Sequence, residues 1–164
     1  MLAFFESIHL RESFLHSLKV IEAKNPTAEK QGKGECCRSG VCCWRRPGSL
    51  SKEDVQPLAE KFGLTPKEFF KEYLVVDDIH GKTLLPRRKH QGGGEMLGWR
   101  ETYSLESPCV FLNEDNSCQV HEVKPKTCRD FRCWEKDNQA DTVIWSEEDL
   151  MELGWDGINP DDDY

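Results

Sequence analysis

Apolar positions recur at helical spacing in several stretches of this chain and alternate or cluster briefly in others. Phe4, Ile8, Phe14, Leu15, Leu18 and Ile21 stand three, four or seven residues apart, with Glu6, Arg11, Glu12 and Lys19 on the other faces. That spacing predicts an amphipathic helix over 3–23, ended by Asn25-Pro26 because the residue before proline disfavours helical dihedrals. The polar residues 26–35, with Gly32 and Gly34, predict a loop. Ser51 opens SKEDVQPLAEKFG, where Asp54 answers the cap and Gly63 provides a stop, although Pro57 costs a helical hydrogen bond. Thr65 opens TPKEFFKEYLVV, with Pro66 at the first helical position and Glu68 at the third.

Between 79 and 106 the pattern changes. Leu84-Leu85 and the run from Met96 to Leu105 predict two short strands, joined by PRRKHQGGG as a mobile hairpin tip. CVFL at 109–112 and CQVHE at 118–122 predict a second hairpin around the turn NEDNS. Ser146 and Asp149 start a last helix, SEEDLMELG, and DGINPDDDY reads as a loose end. The sum is an α+β fold: one small domain of several helices and short β-hairpins, with no internal repeat. Its parts are an N-terminal helix at 1–26, a cysteine-bearing body at 27–134 and an acidic helix and tail at 135–164.

Composition thins the expected core. Of 164 residues only 37% are apolar and 32% are charged, so a cross-linking centre would assist folding. The net charge of −8 is uneven: residues 135–164 hold eleven acids against Lys136 alone, which leaves the first 134 residues at +2. The tail reads as a solvated, solubilising end, with docking on a basic face or an unknown protein partner as the sharper alternative. The apolar run Leu2 to Phe5 is broken at once by Glu6, too soon for a signal peptide. No stretch approaches the roughly 20 apolar residues of a membrane span. Cytoplasmic placement is therefore expected, where thiols stay reduced.

That expectation bears on the eight cysteines, Cys36, Cys37, Cys42, Cys43, Cys109, Cys118, Cys128 and Cys133. They fall into two groups of four. A tetrahedral thiolate site needs four sulfurs about 2.3 Å from one ion, so close pairs from turns usually meet distant pairs in space. Gly40 supplies a turn inside CCRSGVCC, and NEDNS and KPK supply turns beside Cys118 and Cys128. The spacing is neither that of a zinc ribbon nor that of a ferredoxin run. Arg38, Arg45, Arg46, Lys124, Lys126, Arg129 and Arg132 all lie close in sequence to a cysteine, where cations favour thiolates. These features point to a centre holding an iron–sulfur cluster or zinc, with the eight cysteines as candidate ligands and one site or two left open. Redox-switch disulfides and inert buried thiols are the alternatives. His121, three residues after Cys118, is a further candidate ligand, though a lone histidine in a hairpin is more often structural.

Other chemistry is weaker. Arg87, Arg88 and Lys89 beside a triple glycine lack the spacing of a phosphate-binding loop. With Trp99 or Trp44 for stacking they suggest an RNA contact that the overall acidity disfavours. An enzyme would need a pocket with acid–base groups; His80, His90, Glu95 and Tyr103 are candidates, but nothing in the sequence makes them converge.

GECCRSGVCC followed by SPCVFLNEDNSCQVHEVKPKTCRDF resembles the YkgJ-like cysteine-cluster family of zinc- or iron-chelating domains, the CxxCGxCC type. Cys42 and Cys43 match the family's closing pair, Gly40 its glycine and Cys36 its first cysteine. Cys109 with Phe111 and Leu112, then Cys118, Lys124-Pro125 and Cys128-Arg129, match the later part in order. Ser39 stands where the family's second cysteine falls, Pro108 precedes Cys109 instead of following it, and Lys124 replaces an arginine. The resemblance covers about residues 34–134 and implies metal binding without a settled reaction, an electron-transfer or maturation role among the options. A redox or modifying enzyme using the centre is the alternative.

Overall fold

A computed structural model describes residues 40–45, 47–131 and 142–162. The helix expected at 3–23, the loop at 26–35 and Cys36, Cys37 and Cys133 lie outside the described residues. The elements run in the order α1 (Val41–Arg45), α2 (Lys52–Lys61), α3 (Pro66–Tyr73), β1 (Leu74–Asp77), β2 (Thr83–Pro86), α4 (Trp99–Thr102), a 3-10 turn (His121–Val123), α5 (Lys126–Asp130) and α6 (Glu147–Leu153). Among the described residues, helices with one antiparallel hairpin make this the expected α+β class. Among the described residues no helix is long and apolar enough to cross a membrane.

The helix ends follow their capping chemistry. Asp54 Oδ2 accepts from both the amide and the hydroxyl of Ser51, at 2.8 and 2.9 Å, which fixes the start of α2. Pro57 is carried inside α2 without ending it. Thr65 Oγ1 accepts from the Glu68 amide, and Glu68 returns the bond to the Thr65 amide. Ser146 caps α6, and Gly154 closes it at φ +113°, a dihedral natural only to glycine.

Two expectations are corrected. LeuValVal at 74–76 does not continue α3; the chain turns extended at Leu74 and pairs with β2, in the register Val75 with Leu85 and Val76 with Leu84. Two consecutive β-branched residues favour that state, and every residue of both strands is buried, which erases the alternation a half-exposed strand would show. The expected strand at 96–105 shrinks to a single parallel bridge from Met96 to Val76, and Trp99–Thr102 is a helical turn. Leu84 and Leu85 thus pair with the segment before them.

The triple glycine is not a free hairpin tip. A Cβ on Gly93 would lie 2.5 Å from the Lys71 carbonyl oxygen, and Gly94 takes φ +79° beside Lys71. The segment runs against the end of α3, where side chains do not fit, and Gly94 N–H donates to Leu74 O at 2.7 Å.

The core gathers Leu50, Leu58, Phe69, Phe70, Leu74, Val76 and Leu84 from the first half with Phe111, Val120, Leu150 and Trp155 from the second. The stretch read as an acidic tail contributes to it. Trp145 is 7% exposed, and its indole N–H donates to Leu50 O at 2.8 Å. Phe62, Phe69, Tyr73 and Phe111 stack with centroids 4.7–6.1 Å apart, joining α2 and α3 to the cysteine-bearing segment.

Candidate metal centre

Four separate segments bring cysteines to one side of this core. Gly40, at φ +73°, turns the chain into α1, which carries Cys42 and Cys43. A Cβ on Gly40 would come 3.3 Å from Asn116 Oδ1 and 3.6 Å from Leu112, so this turn lies against the turn between Cys109 and Cys118. That second turn closes as the sequence suggested: Asn113 N–H donates to Ser117 O, Gln119 N–H to Phe111 O, and Asn116 takes φ +63°. It is held by the bridge Leu112 to Cys118 and not by extended strands. The Cys109 amide donates to Cys43 O at 2.7 Å, which ties the two cysteine groups together directly.

Cys128 arrives on α5, which is anchored from α2 and the loop before it. Asp54 Oδ1 accepts from the Lys126 amide at 3.0 Å, and Thr127 Oγ1 donates to Ser49 O at 2.6 Å. A Cβ on Gly48 would lie 2.5 Å from Cys128 Sγ, so only glycine admits the sulfur there. Asp54 is 6% exposed and serves two helix starts with one carboxylate. Asp54→Asn would turn an amide N–H2 toward donors at one of them. The expected result is a loss of about 1–3 kcal/mol in a denaturation midpoint experiment, from a buried donor left without an acceptor.

The thiols sense one another. Cys42 Sγ and Cys43 Sγ are 3.9 Å apart, close to the ~3.8 Å edge of a tetrahedral site with 2.3 Å metal–sulfur bonds. The contact with the Cys43 thiol pulls the Cys42 thiol down to about 7, assisted by the amides of Cys42 and Cys43 and by Lys124, against burial. Cys43 is pushed up, first by that same contact, then by burial and the charges of Cys42, Cys109 and Cys118. Burial raises Cys109, with the charges of Cys128, Cys118 and Cys42 adding to it. Burial likewise pushes Cys128 up to about 12, together with Cys42 and Cys118, while the Gly48 amide and Lys124 oppose. Each sulfur is thus near enough to several others for its charge to disfavour theirs. In such a group a metal cation replaces the missing countercharge and releases the protons.

Five cysteines, Cys42, Cys43, Cys109, Cys118 and Cys128, are gathered in this way. They are gathered without being closed: among the described residues no three His, Cys, Asp or Glu are arranged to hold a metal ion. The donor chemistry fits a thiophilic metal, with amide donors from Gly48 and Phe111 facing sulfur. His121 begins the 3-10 turn, where its amide donates to Cys118 O at 3.2 Å.

The cations near the thiols differ from those that sequence proximity picks out. Lys124 acts on Cys42 and Cys128, as its position suggests. Arg45 is exposed, Arg129 donates to Lys124 O, and Lys126 pairs with Asp130. Arg38, Arg46 and Arg132 lie outside the described residues. The cation missed by sequence reasoning is Arg88, 5% exposed, whose backbone bridges Cys109 and whose guanidinium feels the charge of that thiol. Its only sequence signal is the basic run before the glycines, and that run suggested nucleic acid. The guanidinium of its neighbour Arg87 is bound by the carbonyls of Glu72, Arg88, Lys89 and Gln91. Of the acid–base candidates, His90 Nδ1 meets Ser107 Oγ at 2.5 Å, whereas Tyr103 stands exposed on the end of α4.

No curated protein and no solved structure matches the chain. A family model does, over residues 34–149, under the description "Putative zinc- or iron-chelating domain". The matched stretch takes in all eight cysteines and runs into α6, and the YkgJ-like likeness falls within the same family. The chain belongs to the CxxCxxCC family of zinc- or iron-chelating domains.

Proposed function

We propose that the chain is a cytoplasmic metal-binding protein in which the two groups of cysteines hold an iron–sulfur cluster that organises the domain. The observation that carries this is the convergence of five cysteines from four segments, with two cations and backbone amides beside them. Thiolates around a cluster leave a net negative centre, and amide donors with nearby positive charge are what such a centre requires. Five gathered sulfurs also exceed the four that one tetrahedral ion uses. Electron transfer or a role in maturation is the function we assign to it. Zinc is the second reading, favoured by the 3.9 Å spacing of Cys42 and Cys43.

Anaerobic purification followed at once by a visible spectrum and metal analysis tests the proposal. Iron with sulfide in similar amounts and absorption near ~400 nm supports the cluster. A colourless protein with about one or two zinc ions per chain establishes the second reading. Absence of both metals, with the thiols paired, overturns the metal centre altogether.

A further inference from the structure

We propose that Arg88 is the positioning residue of the metal centre: a buried guanidinium that locks the two cysteine groups together and supplies their fixed positive charge. The inference rests on the metal-centre reading above, for either metal.

The geometry is specific to arginine. Nη1 donates to Trp44 O at 2.7 Å and to Ser107 O at 2.9 Å, and Nη2 donates to Arg45 O at 2.7 Å. Trp44 and Arg45 are the last residues of α1, directly after Cys42 and Cys43, and Ser107 lies two residues before Cys109. One side chain therefore grips both groups of ligands. Its backbone adds a second hold on the Cys109 segment. Arg88 bridges Cys109, flanked by Lys89 N–H to Pro108 O at 3.0 Å and Val110 N–H to Arg87 O at 2.9 Å. The Arg88 amide is itself held by Gln91 Oε1 at 2.9 Å.

All three bonds from the guanidinium go to neutral carbonyls, and among the described residues no carboxylate pairs with Arg88. A charge buried without a countercharge is costly, and such charges are retained where something offsets them. Here the offset is a thiolate centre. Four thiolates around a divalent ion sum to −2, and Arg88 with Lys124 brings the assembly to neutrality. Ionised, metal-bound ligands therefore leave this assembly neutral, whereas four protonated thiols leave the charge of Arg88 without an offset. Arg88 thereby favours the loaded state.

Two variants separate charge from shape. Arg88→Lys keeps the positive charge but gives up the fork that spans three carbonyls, and Arg88→Gln removes the charge. Zinc is the probe, its affinity for the full-length chain read by chelator competition. The melting midpoint of each metal-free variant is measured alongside. We expect Arg88→Gln to bind zinc about 10–100-fold more weakly than the unaltered chain, the usual loss for a residue supporting metal ligands. Arg88→Lys should recover most of that loss even though both variants melt at similarly lowered temperatures. Unchanged affinity in Arg88→Gln, or equal losses in both variants, overturns the proposal. If only Arg88→Lys folds, affinity within about 10-fold of the original supports the proposal and a larger loss refutes it. Failure of both variants to fold assigns Arg88 to the fold alone and likewise overturns it. A metal-free unaltered chain that takes up no zinc, and that purifies anaerobically without iron, overturns the metal-centre reading instead, and this inference with it.

Discussion

Cys128→Ala should strip the protein of its metal and of most of its solubility in one step, and Cys42→Ala and Cys118→Ala should do the same. Cys128 comes to the centre on a five-residue helix that cannot hold itself, since isolated helices of this length are unstable in water. Its placement depends on the bonds from Lys126 to Asp54 and from Thr127 to Ser49, and on the space left by Gly48. Removing the sulfur leaves those contacts but deprives the segment of its link to Cys42 and Cys109. Structural zinc contributes of order 10 kcal/mol to folding in small domains, comparable with the whole net stability of about 5–15 kcal/mol. Loss of one ligand is therefore expected to reach the fold as well as the metal. Metal per chain and the soluble fraction after expression are the measurements. Full metal content in all three variants would refute the ligand assignment.

The second large effect is expected away from the cysteines. Phe69 is fully buried on α3 and stacks on Tyr73 at 5.3 Å and on Phe111 at 6.1 Å. Phe111 lies two residues after Cys109, in the turn that carries Cys118. Phe69→Ala removes a fully buried ring of that stack, and a truncation of this kind costs about 3–5 kcal/mol. In a domain of this size that is a fall of about 10 °C or more in melting midpoint. The loss should appear both in the metal-free chain and in the loaded one. Phe69→Leu, which keeps most of the volume, should cost clearly less. Equal stability of Phe69→Ala and the unaltered chain would show that the stack does not couple core and centre.

These expectations draw on two sources of different reach. Local chemistry along the chain was readable without a structure. The caps at Ser51, Thr65 and Ser146 follow from short-range hydrogen bonding, and so do the turn NEDNS and the stop at Gly154. The two cysteine groups were equally plain, because clustering of a rare residue type needs no fold to be seen. Where a segment's state depends on a distant partner, the sequence was ambiguous. Leu74 to Asp77 is buried on both faces against Thr83–Pro86, so its apolar run carries no period with which to tell strand from helix end. Gly93 and Gly94 resemble a flexible connection until the backbone of Lys71 is found against them.

By itself, then, the sequence determined an α+β domain with cysteine-rich chemistry and its family. It did so because capping, turn formation and thiol chemistry act over a few residues. Tertiary structure alone decided which cysteines meet and what charge meets them. Cys43 and Cys109 are joined by one backbone bond across 66 positions, and Lys124, not Arg45, faces the sulfurs. Arg88, 21 residues from Cys109, is buried beside it because its guanidinium reaches the end of α1. Sequence distance says nothing of such contacts, since burial and Coulomb interaction depend on separation in space.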